Sequence, residues 1–385
     1  MPFLVTDGTT VSHPTDEVEF AGMLLQFVTG VAILDVSGMQ SGIEPRRIKV
    51  DTAAPTENWS LVCTDAATGV YSVTGSVSGA QAAITVGAPY DNGIIALDLV
   101  DTDSLLGGAT LGETLIIPVV TGPMVTAASN WTLLRQYEAN DGGLHFFVMG
   151  PGTSGADEIF VSFATARFVE ADAYNVRFFG GIGFNESCTT ASTILGASPL
   201  VSMLLSDATM PCWFIGSGRR FIAIAKVSTV YESCYMGFML PTGTSSEYPY
   251  PLIVGGTAGA GLPAVSWRDT SADHRAFFDP SQTLIMRDKG GAWVVFDNDG
   301  AISNTFPAKS LNILPCFGGN RALFPVTLHS STPLNGTFGD LDGVFYVSGF
   351  NLFSEDVIDC NGVDRLCVQS AFRTGIKNFA AFSLE

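Results

Sequence analysis

The residues able to do chemistry are few and scattered. The four histidines are His13, His145, His274 and His329. None forms an i, i+4 pair or sits in an HExxH-like context, so no zinc-hydrolase helix is expected. His145, between Leu144 and Phe146, reads as a strand residue alternating onto one face. Carboxylate pairs suited to glycoside hydrolysis occur at Asp157/Glu158, Asp340/Asp342 and Glu355/Asp356. Adjacent acids on a strand point to opposite faces, so only Asp340 and Asp342 are expected to share one. Acidic turns beside strands account for such pairs without catalysis. Asp297-Asn298-Asp299-Gly300 has the start of a calcium loop but lacks its closing acid, so a hairpin turn is expected. Gly180-Gly181-Ile182-Gly183-Phe184 lies among strands and reads as a bulge or turn. No GxSxG elbow, Walker loop or GxGxxG before a helix is present.

Seven cysteines, at 63, 188, 212, 234, 316, 360 and 367, are odd in number and lack CxxC spacing. This argues against a disulfide framework or zinc site and for buried thiols. A bond between Cys360 and Cys367 across a hairpin stays open at this level.

Charge narrows the partners. The chain carries 18 Lys+Arg against 37 Asp+Glu, a net charge of −19. It lacks the basic stripe of a nucleic-acid binder, and an anionic membrane surface is an equally poor partner. The uncharged stretches 187–206 and 248–267 are rich in Ser/Thr or Pro, so neither reads as a membrane span. The opening residues have no basic and apolar leader pattern, and no secretory signal is expected.

The elements that would position these residues are mostly strands. Hydrophobic residues make up 46% of the 385 residues and charged ones 14%, which argues against a disordered tail. The best helical spacing is 20–36, where Phe20, Met23, Leu24, Phe27, Val31 and Leu34 recur, with Gly22 and Gly30 weakening it. Elsewhere the pattern has period two or runs apolar between turns. Trp59–Thr64 and Val70–Val77 flank the turn Ala67-Thr68-Gly69, and Asp91-Asn92-Gly93 is a tight-turn signal before a strand at 94–100. Further strands are expected at 113–120, 144–149, 159–163, 176–179, 221–227, 235–240, 292–296 and 343–350.

The expected fold is all-β: an acidic N-terminal β domain over 1–122, then a larger β-sandwich or jelly-roll-like region over 123–385, with a further division near 257–265 left open. The first unit has 14 acids and 3 bases, the second 23 and 15. Thr121-Gly122-Pro123 looks like the joint. Asn58-Trp59-Ser60-Leu61 and Asn130-Trp131-Thr132-Leu133 echo each other, but two short matches do not establish a repeat. The segment 241–263, with Tyr248-Pro249-Tyr250-Pro251, is expected to be a long contact-forming loop.

Four stretches resemble virion structural proteins of tailed bacteriophages, of the tail, baseplate and fibre class. They are 57–92, with its W-S-L and Y-S-V-T-G-S-V-S-G strand pair and later V-G-A-P-Y-D-N-G; 130–161, opening N-W-T-L-L; 219–256, opening R-R-F-I-A-I-A-K-V; and 339–384 at the C-terminal end. The resemblance spans about half the chain and carries no catalytic motif. It implies a non-enzymatic virion subunit, made in the host cytoplasm, without cofactors or metals. Its partners would be other phage structural proteins and copies of itself. Low charge and many aromatics suit a surface that is largely interface. The expected assembly contacts are the basic island Arg46, Arg47 and Lys49, the loop residues Tyr248 and Tyr250, and Trp267. The alternatives are a receptor- or glycan-binding fibre module using Trp267, Trp293 and Tyr346, a capsid decoration or head-fibre protein, and a glycan-degrading enzyme using Asp340 and Asp342.

Overall fold

A computed structural model describes residues 3–5, 8, 11–51, 53–102, 108–120, 131–139, 141–152, 158–185, 194–242, 252–257, 265–268, 284–287, 291–295, 321–330, 336–369 and 379–384. The fold is all-β, as expected, with one α-helix, Glu17–Thr29, and a single 3₁₀ turn at Val169–Ala171 among the described residues. The strand pairs are antiparallel throughout.

Three large sheets stack as layers. The first has eight strands in the order Val201–Leu205, Ala173–Gly181, Ile159–Phe168, Leu144–Gly150, Thr132–Glu138, Ile43–Val50, Ile95–Asp101 and Pro89–Asp91. The second has seven, running from Phe3–Val5 through Cys212–Gly216, Arg220–Val227, Val230–Phe238, Leu252–Gly255 and Leu284–Arg287 to Trp293–Val295. The third has six, with Leu240–Pro241, Gly336–Val347, Phe379–Ser383, Val363–Gln369 and Val357–Cys360 in order and Leu323–Ser330 also on Gly336–Val347.

Side-chain pattern explains the stacking. In the eight-stranded sheet Phe146, Val148, Val161, Phe163, Val176 and Phe178 alternate onto one face. They share a core with Phe214, Phe221, Ala223, Ala225 and Met236 of the seven-stranded sheet. The opposite face of that middle sheet, with Ile215, Ile222, Ile224 and Ile253, packs on Leu328, Val344, Tyr346 and Phe382 of the six-stranded sheet. Covered on both sides, the middle strands read as unbroken apolar runs such as Phe221-Ile222-Ala223-Ile224-Ala225. Each fully buried Phe or Ile contributes roughly 2–3 kcal/mol.

The described residues of the expected first unit are woven into these layers. A fourth sheet, of Asp35–Gly38, Thr114–Val119, Glu57–Asp65, Val70–Gly75 and Gly79–Thr85, is local to them. Ile43–Val50, however, pairs with Thr132–Glu138 through Ile48 and Leu133, and Phe3–Val5 pairs with Cys212–Gly216. One continuous core takes in Trp59, Tyr71 and Ile117 together with Phe163 and Met236. The boundary expected at 122 therefore separates no two cores among the described residues. The acid-rich composition that suggested it reports on the surface, whereas domain separation depends on which faces are buried together. The joint at 121–123 itself lies outside the described residues, as do 258–264 of the further division.

The helix is shorter than its spacing suggested. Asp16 caps it, its side chain accepting from the Val18 and Glu19 N–H groups. Gly30, at φ +75°, ends it in the left-handed region. Phe20 and Phe27 rest on Phe214 at ring separations of 5.4 and 5.9 Å. Val31 and Leu34 are buried although the helix has ended: Val31 is bridged to Val119, and the Leu34 N–H donates to the Gln136 side chain.

The hairpin at 57–75 forms as expected, with Trp59 opposite Gly75 and Gly69 at φ +65° in the turn. The tight turn at 91–93 also forms: the Asp91 side chain accepts from the Gly93 N–H, and Gly93 has φ +78°. The long loop expected over 241–263 is interrupted. Leu252–Gly255 is a fully buried interior strand of the middle sheet, between Val230–Phe238 and Leu284–Arg287. Four residues between Pro251 and Gly256 are too few for periodicity to reveal. Cys360 lies opposite Val363 and Cys367 opposite Ala381, so the two do not face each other, and both are free thiols. Cys188 and Cys316 lie outside the described residues.

Candidate functional site

The expected contact residues do not come together. Arg46, Arg47 and Lys49 lie on Ile43–Val50, where the pairing register slips between Arg46 and Lys49 and Arg47 takes φ +52°. This bulge leaves Arg47 and Lys49 exposed, while Arg46 stays on the same face as Glu44 and is covered by Phe184. Arg46 is fully buried, bridges to Glu44 at 2.8 Å and lies over the Phe184 ring, so it is no part of an exposed island. Trp267 is half-buried against Leu204 and Val265, with the Arg268 guanidinium 4.7 Å from its ring centre. Its ring is largely occupied by its own chain. Tyr248 and Tyr250 lie outside the described residues.

The alternative site residues are similarly engaged. Tyr346 is buried in the core, so it offers no face to a sugar. Trp293 donates its indole N–H to the Gly196 carbonyl at 2.8 Å. Asp340 accepts from the Thr327 hydroxyl, and Asp342 is buried and bonded to Arg219. Asp157 and Asp297–Gly300 lie outside the described residues. Among the described residues, no three of His, Cys, Asp and Glu gather closely enough to hold a metal ion.

The structure instead brings together residues that periodicity could not connect. A cleft of about 630 Å³ opens on the outer face of the eight-stranded sheet. Its cause is local. On Ile159–Phe168 the residues facing outward include Ala164 and Ala166, and these small side chains leave a trough where neighbouring strands carry larger ones. Ala164 pairs with His145 on one side and Arg177 on the other, so these two polar residues flank the alanine floor. The turn at Asp141–Gly143 and the segment carrying Ala197, Ser198 and Leu200 form the sides. Glu17 and Val18, at the start of the helix, reach one end.

The two ends differ electrically. At the helix end, Arg167 bridges to Glu17 at 2.7 Å and to Asp16 at 3.0 Å, and these carboxylates hold its ionisation above the ordinary arginine value. At the other end, burial lowers the His145 pKa; Asp141 opposes that shift and Arg177 adds to it. Burial lowers Arg177 as well, against the pull of Asp141. Arg177 also lies 5.1 Å from the Phe168 ring centre. The His145 Nδ1 is buried and has no hydrogen-bond partner among the described residues. A neutral imidazole beside a guanidinium can orient a polar ligand or move a proton.

This site was not legible in advance. His145 was visible as a strand residue with Asp141 in the turn before it, but Arg177 meets it only through strand register, and Glu17 reaches the cleft only through the placing of the helix. The one available signal was the small-residue alternation Ala164-Thr165-Ala166 within a strand.

Comparison with known proteins adds no constraint: no family model matches the chain, and no curated protein matches it.

Proposed function

We propose that the chain is a structural subunit of a tailed-phage virion, in the tail or baseplate, acting through protein–protein assembly without catalysis. The observation that carries this reading is an apolar patch at a sheet margin. Val357–Cys360 is the outermost strand at one end of the six-stranded sheet. Phe353, in the turn before it, is 78% exposed, with Val357 at 53% and Phe350 at 46%. Large apolar side chains beside a strand that is outermost among the described residues favour an interface, because burying them removes water from apolar area and a further strand can pair with that margin. The resemblance of four stretches to virion proteins supplies the setting.

The test is location in purified virions. Cryo-electron microscopy or mass spectrometry should find the chain at the tail or baseplate, and Phe353→Asp should reduce its incorporation at least several-fold while leaving its melting temperature unchanged. Absence from virions would overturn the reading. A receptor- or glycan-binding module is the second reading, favoured by the cleft beside His145.

A further inference from the structure

The geometry points to Val357–Cys360, the outermost strand at one end of the six-stranded sheet, as the docking edge for an extended strand of a different protein. That strand places a lysine or arginine two residues before an apolar side chain. This rests on the reading of the same margin as an interface, and it names what pairs there. Asn361-Gly362 closes a two-residue hairpin, with Cys360 opposite Val363, Ile358 opposite Arg365 and Asp359 opposite Asp364. Asn361 at φ +60° and Gly362 at φ +78° are the two left-handed residues that a type I′ turn takes. The pair flanking such a loop exchanges both backbone bonds, and bonded pairs then alternate along the ladder. Ile358 therefore commits its backbone groups to Arg365, whereas Val357 and Asp359 turn theirs away from the sheet. Among the described residues no strand lies beyond this margin, and no backbone hydrogen bond of Val357 or Asp359 crosses it. An added antiparallel strand would be bonded at these two positions.

The side chains say which strand. Val357 and Asp359 share one face, with Leu366 and Asp364 as their cross-strand partners. Leu366 packs in the core with the middle sheet, while Val357, Asp359 and Asp364 are exposed. Asp359 and Asp364 form a non-hydrogen-bonded pair, the kind whose Cα atoms approach to about 4.5 Å. Like charges placed directly opposite repel. The Asp359 carboxylate accepts from the Gly362 N–H at 2.9 Å, and neither carboxylate meets a cation among the described residues. Arg365 points to the other face, 5.2 Å from the Phe345 ring centre, and donates to the Cys360 and Val363 carbonyls. A basic side chain opposite Asp359 would relieve the repulsion, and an apolar one opposite Val357 would cover it. A second copy would bring its own two carboxylates to the edge, so charge selects against self-pairing.

The margin is ordered before a partner arrives. Arg321 donates to the carbonyls of Ser348, Phe350 and Asn351. The Phe353 N–H donates to the Asp356 carboxylate, and the Glu355 N–H to the Cys367 carbonyl. The turn carrying the exposed Phe350 and Phe353 is thereby fixed beside the edge, which lowers the conformational freedom lost on docking.

The experiment is fluorescence anisotropy of a labelled heptapeptide, Ser-Thr-Lys-Thr-Val-Thr-Ser, titrated with the purified full chain at low salt. Antiparallel addition puts its lysine opposite Asp359 and its valine opposite Val357. Saturable binding is expected. A peptide N-methylated at the lysine and valine keeps both side chains but loses the two edge bonds, and should bind about ten-fold more weakly. Glutamate in place of lysine should weaken binding by about ten-fold as well. Asp359→Asn combined with Asp364→Asn should weaken it roughly three- to five-fold, the scale of exposed charge pairs, without lowering the melting temperature. No saturable binding, equal binding of the N-methylated peptide, equal binding of the glutamate peptide, or full binding by the double Asn variant would each overturn the inference. So would self-association of the chain that unlabelled peptide dissolves, which would put a second copy on the edge. These readouts use the purified chain, so their failure and absence of the chain from virions are separate results.

Discussion

Arg219 and Asp342, 123 residues apart in sequence, meet at 2.8 Å where the middle sheet packs on the six-stranded sheet. The same carboxylate lies 3.8 Å from Arg220, which is fully buried, and the Asp342 N–H donates to the Tyr235 hydroxyl. One residue thus ties two layers together. Asp342→Ala is expected to cost about 3 kcal/mol, because it strips charge compensation from a buried guanidinium. Asp342→Asn, which keeps a hydrogen-bonding oxygen, should cost less. Thermal unfolding of both variants checks the order; equal and negligible losses would show that the contact does not matter.

Glu113 makes a prediction about acid. Burial raises its pKa, but hydrogen bonds from the Tyr71 hydroxyl, the Thr110 and Gln40 N–H groups and Ser41 outweigh burial and hold it below the ordinary glutamate range. A carboxyl depressed by folding supplies stability that is complete above its unfolded pKa of about 4.3 and is lost as pH falls through the lower folded value. Wild-type melting temperature should therefore fall below about pH 4. Glu113→Gln should be less stable at pH 7 and show a shallower acid decline. Parallel pH profiles would contradict this.

Gly150 is required by its neighbour. A Cβ there would sit 2.8 Å from the Trp131 ring, which is buried and bonded through its indole N–H to the Ser217 carbonyl. Gly150→Ala should cost roughly 1–3 kcal/mol by overpacking. Adding Trp131→Phe should return part of that loss, and a double mutant with purely additive losses would rule out the contact as the cause.

The helix cap can be tested separately. Asp16→Ala removes the acceptor for two helix N–H groups and should cost about 1 kcal/mol. Asp16→Asn keeps the cap while removing the charge facing Arg167. Comparing the two by urea denaturation divides the effect between cap and ion pair, and an Asn variant as unstable as Ala would place it on the ion pair.

The sequence by itself determined the fold class and much of the local structure. Period-two alternation of Trp59, Leu61 and Cys63, the Ala67-Thr68-Gly69 turn and the Asp91-Asn92-Gly93 turn are short-range physics, set by side-chain direction and by which residues tolerate positive φ. The tertiary structure alone decided what those elements share. Ile48 and Leu133 join the expected two units in one sheet, Glu44 and Phe184 enclose Arg46, and Leu252–Gly255 becomes an interior strand. His145 and Arg177 face each other across Ala164 only because three strands pair in one register. Register depends on the faces buried across the whole assembly of sheets, and a single-residue slip would send each of these side chains to the opposite face.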